Sequence, residues 1–173
     1  MGGPEVLHWS HMKLITRSLV VSVACLGLTS LLLSPAFAQT DSQVGIWKLN
    51  VAKSTYSPGP APKSATTTIE TAGAGAKVSV DQMRADGTAS HWGFTADYDG
   101  KDNAMTGSNP DADMIARTRV DANTVQSISK KDGKVTTTQM SKVSADGKPR
   151  TVTTKGMNAA GKKVNNVAVY DKQ

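Results

Sequence analysis

The sequence predicts an all-β fold: one antiparallel up-and-down meander of about eight to ten strands, closed into a lipocalin-like barrel. Three observations predict it. Turn signals recur at intervals of roughly a dozen residues, which suits strands and is short for ordinary helices. Threonine and valine, stiff at χ1 and suited to a pleated surface, fill the intervals. Apolar residues alternate with polar ones and show no sustained three-four spacing. Closure is expected because an open meander exposes unpaired backbone on its first and last strands, and a barrel removes both edges. A two-sheet sandwich is the alternative, which turn spacing alone does not separate.

The elements are justified in chain order. Lys13 and Arg17 precede an apolar stretch at 18–33, and then comes SPAFAQT, with the small residues Ala36 and Ala38 where a signal peptidase must fit. A helical signal peptide over 1–38 is expected, cleaved after Ala38, with Met12 as an alternative start. The apolar stretch is shorter than the roughly 20 residues that cross a bilayer, so no membrane span is expected after cleavage. The product would be periplasmic or secreted. A short flexible lead over 39–43 and one domain over 44–173 follow. The single cysteine, Cys25, lies in the apolar stretch, which leaves the domain without a disulfide, a thiolate nucleophile or a thiolate metal site.

The domain opens with GIWKLN, where Trp47, Leu49 and Val51 share one face of a strand. Pro58, Pro60 and Pro62 then fix φ and remove backbone donors, so the chain is expected to run there as a semi-rigid strap to the second strand. Further strands are expected around 66–69, 78–80 and 91–98, separated by AGAGA at 72–76 and ADG at 85–87. In the last of these, Trp92, Phe94, Ala96 and Tyr98 fall on one face and His91 on the other. DYDGKD at 97–102 reads as a hairpin turn and SNPDAD at 108–113 as another. IARTRV at 115–120 places Arg117 and Arg119 on one face. Turns at 121–123, 131–133, 145–148 and 158–162 punctuate the remaining strands, the last of which is VNNVAVYDKQ.

Gly45-x-Trp47 at the head of the first strand resembles the Gly-x-Trp signature of the calycin barrels, the lipocalins and fatty-acid-binding proteins, and VAVYDKQ is similar to the closing strand of the latter. The chain over 44–173 also resembles a group of small exported bacterial proteins that carry GTWKLN, SPGPAPKS and VNNVAVYDKQ-like segments. The calycin resemblance implies a structural Trp47 at the barrel base, with Arg117, Arg119 or Arg150 packed on it. It does not imply fatty-acid binding: the arginine that should stand two residues before Tyr170 is Ala168, and the proline strap leaves no room for a two-helix lid.

The whole-chain formal charge of +6 is modest and its signs are interspersed; the densest basic sites, Lys130-Lys131 and Lys162-Lys163, lack aromatic neighbours, so nucleic acid is not an expected partner. His91 is the one histidine after the signal segment and too little for a triad or zinc site. Asp97, Asp99 and Asp102 have a calcium-loop look but lack a distal glutamate, so they read as turn residues. No cofactor, metal or catalysis is expected. The expected function is a monomeric binding module for a small amphipathic molecule, with Trp47, Trp92, Phe94, Tyr98, Tyr170, Arg117 and Arg119 as ligand-binding candidates. The alternative is an envelope structural or interaction protein with a solid core, whose loops bind a macromolecular partner, an envelope protein among the candidates.

Overall fold

The computed structural model describes residues 41–173. The expected signal segment with its cleavage-site residues Ala36 and Ala38, and the alternative start at Met12, lie outside the described residues.

Eleven strands form one antiparallel sheet: β1 Gly45–Thr55, β2 Ser64–Ala72, β3 Gly75–Met83, β4 Ala89–Asp97, β5 Asp99–Ala104, β6 Thr106–Gly107, β7 Met114–Asp121, β8 Thr124–Lys131, β9 Lys134–Val143, β10 Pro149–Met157 and β11 Lys163–Lys172. Their order is β5-β7-β8-β9-β10-β11-β1-β2-β3-β4-β6. The first and last strands are therefore neighbours in the middle of the sheet, with Leu49 opposite Tyr170 and Asn50 opposite Val169. The sheet is a nearly closed barrel, and the sandwich alternative is set aside because every strand belongs to one continuous ladder. No helix among the described residues is long and apolar enough to cross a membrane.

The ring is joined where the meander breaks. β5 pairs with β7, and β6, two residues further along the same run, pairs with β4. Met105 donates to Asp113 O at 2.8 Å and Ser108 donates to His91 O at 2.8 Å, so residues 99–108 cross from one wall to the other. DYDGKD is therefore not a hairpin turn, and neither is SNPDAD, since β6 pairs with β4 while β7 pairs with β5 and β8; both expectations are corrected. Tyr98 packs against the apolar core, and the chain after it leaves β4 for β7. Gly107 sits at φ +82, where a Cβ would meet His91 O at 2.3 Å, so only glycine lets β6 lie this close to β4.

β1 also departs from strict alternation. Trp47 and Leu49 point inward, but Val51 is exposed, because the register on β11 slips between Asn50 and Thr55. Asn50 organises this bulge: its side-chain oxygen accepts from Lys53 N at 3.1 Å and its carbonyl from Ser54 Oγ at 2.7 Å. The strap follows as expected, linking β1 to β2, and is tied to β11 by Ser57 N to Asn166 Oδ1 at 2.9 Å and Asn165 N to Ser57 O at 2.7 Å.

The flexible lead expected at 39–43 is corrected in its described part. Gln43 is fully buried, and Asp41 accepts hydrogen bonds from Tyr98 Oη at 2.6 Å and Arg119 Nη2 at 2.5 Å. Residues 41–43 thus fold into the end of the barrel where Trp47 lies. There the apolar core collects: Trp47, Ile69, Ala76, Val78 and Val143, with Phe94, Tyr98 and Tyr170 against them. A smaller cluster of Leu49, Ala65 and Ala168 lies under Tyr56.

Candidate functional site

The interior beyond this core is open. A cavity of about 660 Å³ runs from it toward the strap and the β3–β4, β6–β7 and β10–β11 connections. Pro58, Pro60 and Pro62 rim its mouth with Arg84, Asp86 and Asp111. The volume lies in the range of small-molecule sites.

Each wall follows from strand alternation. On β3 and β4 the lining residues are Val78, Val80, Gln82, Trp92 and Phe94; on β8 and β9 they are Ser127, Ser129, Thr137, Gln139 and Ser141; β10 supplies Arg150, Val152 and Thr154. Tyr170 and Asn166 complete the β11 side.

Arg150 is the cation in this wall, and a buried network holds it. Gln43 Nε2 donates to Asn123 O at 2.9 Å and Ser141 O at 3.3 Å, Ser141 Oγ donates to Gln43 Oε1 at 2.8 Å, and Arg150 Nε donates to Ser141 Oγ at 2.8 Å. The guanidinium lies 6.0 Å over the Trp47 ring and 5.4 Å over that of Tyr170. Burial pushes its pKa down to about 10, with Arg117 nearby adding to the depression, so it remains charged at neutral pH. Burial likewise raises the Tyr170 hydroxyl, against the pull of the Arg150 charge.

Beside it, Arg117 is 2% exposed, stacked 4.9 Å from the Tyr98 ring and 5.6 Å from that of Phe94. Its Nε and Nη1 have no hydrogen-bond partner among the described residues. Burial lowers its pKa. Among the described residues neither Arg117 nor Arg150 has a carboxylate at salt-bridge distance; Asp41 is taken by Arg119. Two buried guanidiniums without a counter-ion raise the positive potential of the closed end.

The candidate residues therefore divide. Trp92, Phe94 and Tyr170 line the cavity. Trp47 does not: it is wholly buried behind Arg150, its Nε1 donating to Gln43 O at 2.8 Å, so its place is structural. Of the three arginines offered for that packing position, Arg150 takes it, joined by Lys172 at 5.1 Å. Tyr98, Arg117 and Arg119 lie outside the cavity lining, because Asp41 draws Arg119 and Tyr98 to the end of the barrel and Arg117 stacks on Tyr98.

His91 points outward beside Asp81, at 2.7 Å from its carboxylate, with both side chains exposed. Asp99 pairs with its neighbour Lys101 at 2.8 Å, and no group of three or more metal-binding side chains occurs among the described residues. The polar wall of β8 and β9 was missed because serine, threonine and glutamine read as outward residues. One signal was present: Ser127 and Ser129 share the parity of Val125, which is wholly buried.

No family model matches this chain, and no curated protein matches it. Among solved structures it is similar to the zebrafish ileal bile acid-binding protein in complex with cholic acid, at 13% identity and a TM-score of 0.44, over 76% of this chain and 99% of that one.

Proposed function

We propose that this chain is an exported, non-enzymatic binding module for a small amphipathic molecule whose polar end is anionic. The observation that carries the reading is the open cavity of about 660 Å³ with Arg150 fixed in its wall. Its apolar residues would take the body of the ligand. Arg150 meets the polar end, a role expected of Arg117 or Arg119, and the buried charge of Arg117 assists from behind. A pre-positioned guanidinium already desolvated by the fold gives up little more water on binding, which favours an anion there. A barrel with this much interior space supports the binding reading over a solid-cored interaction protein.

Titration with 1-anilinonaphthalene-8-sulfonate tests it. Saturable fluorescence enhancement is expected, weakened about 10-fold in Arg150→Gln, the loss typical of one charge-assisted hydrogen bond. Equal binding by the two proteins would remove Arg150 from the site. For export, protein recovered from the envelope fraction is expected to begin at Gln39; full-length protein confined to the cytoplasm would overturn that part.

A further inference from the structure

The cavity is divided lengthwise. Val78, Val80, Trp92 and Phe94 make the β3–β4 wall apolar up to Gln82, which stands at the strap end of β3. Across the ring, Ser127, Ser129, Thr137, Gln139 and Ser141 make five inward positions on β8 and β9 polar and uncharged without exception. Four strands separate the two walls on one side of the ring and the β5–β7 region on the other, so they face each other. Of the five, Ser141 is engaged by Gln43 and Arg150, and the others line open space.

A cavity built for a flexible acyl chain has no use for this division, because a methylene chain has no polar side and would strand the hydroxyls facing it. Resting on the binding reading above, we infer that the ligand is polar along one whole face: a rigid, fused-ring anion with an apolar face and a hydroxylated one. The apolar face lies on Trp92 and Phe94 and the valines of β3. Its hydroxyl or carbonyl groups exchange hydrogen bonds with Ser127, Ser129, Thr137 and Gln139, and the acidic group meets Arg150.

Three probes separate the possibilities by calorimetry: cholate, 5β-cholanate and dodecanoate. The first two share ring scaffold and carboxylate and differ in three hydroxyls on one face; the third is an acyl chain with the same acid. In the native protein cholate is expected to bind about 10-fold more tightly than either of the others. The variant Ser127→Ala/Ser129→Ala/Thr137→Val, checked for its β-sheet circular dichroism, is expected to erase the preference for cholate over cholanate while leaving dodecanoate unchanged. Dodecanoate or cholanate binding as tightly as cholate to the native protein would overturn the two-faced ligand and leave the binding reading standing. Preference for cholate that survives in the variant would overturn the role of the hydroxyl wall. If none of the three binds, both proposals fall. Should the variant not fold, the native-protein comparison of the three probes decides alone.

Discussion

Arg150 carries a full positive charge into the barrel and donates its Nε–H to a serine hydroxyl, not to a carboxylate. The alternation of PRTVTT set it on the same face as Val152, but nothing local told which of three arginines would reach Trp47, since that depends on the register of β10 against β9 and β11. Trp47 was read both as a structural residue and as a ligand-binding candidate, and its full burial favours the first. Replacing it by alanine removes a wholly buried ring and the bond to Gln43 O, and is expected to destabilise the protein by about 3–5 kcal/mol in urea unfolding. Asp41 gives a pH-dependent prediction. Burial alone would raise its pKa above the ordinary 3.8, but hydrogen bonds from Tyr98, Arg119 and Gln43 N, with the Arg119 charge, bring it below. A depressed carboxyl pKa contributes stability that is complete above the unfolded value and is lost as pH falls through the folded one. The native protein should therefore lose its advantage over Asp41→Asn as pH falls through and below the ordinary carboxylate value of 3.8, read as converging urea midpoints. Parallel curves would show that Asp41 is not the titrating group.

Among the elements, hairpins were the most legible, because ADG, KDG and ADGK fall at real reversals: Gly87, Gly133 and Gly147 all take positive φ. DYDGKD has the same local chemistry, with Gly100 also at positive φ, yet it joins strands that are not partners. A turn dipeptide specifies a bend and says nothing of which strand the chain meets next. Similarly, the bulge at Asn50 that exposes Val51 depends on side-chain bonds to Lys53 N and a Ser54 hydroxyl that alternation does not register. The crossing run 99–108 hangs on few ladder bonds, and Gly107 permits its last contact. Gly107→Ala is expected to detach β6 from β4, seen as a large rise in amide exchange at Ser108 while β10 and β11 keep their protection. Unchanged exchange at Ser108 would mean that the run is anchored elsewhere.

At the scale of the whole molecule, the all-β barrel with its termini paired was readable because closing the edges is a requirement on any long meander. The interior was not, since serine and threonine are equally at home on the outside of a strand and in a wet cavity. The described residues contain no cysteine, so the urea midpoint is expected to be the same with and without a thiol reductant, a cheap check that packing alone holds the barrel. Removing residues 163–172 takes away the partner of both β1 and β10 and is expected to abolish the cooperative transition altogether. The position of β11 has a temporal corollary. A ribosome delivers β1 more than a hundred residues before the strand that must lie against it, and contacts so remote in sequence form slowly. Until that ten-residue strand emerges, the nascent polypeptide holds ten strands with β1 and β10 each short of a neighbour, and the half-made chain stays pliable.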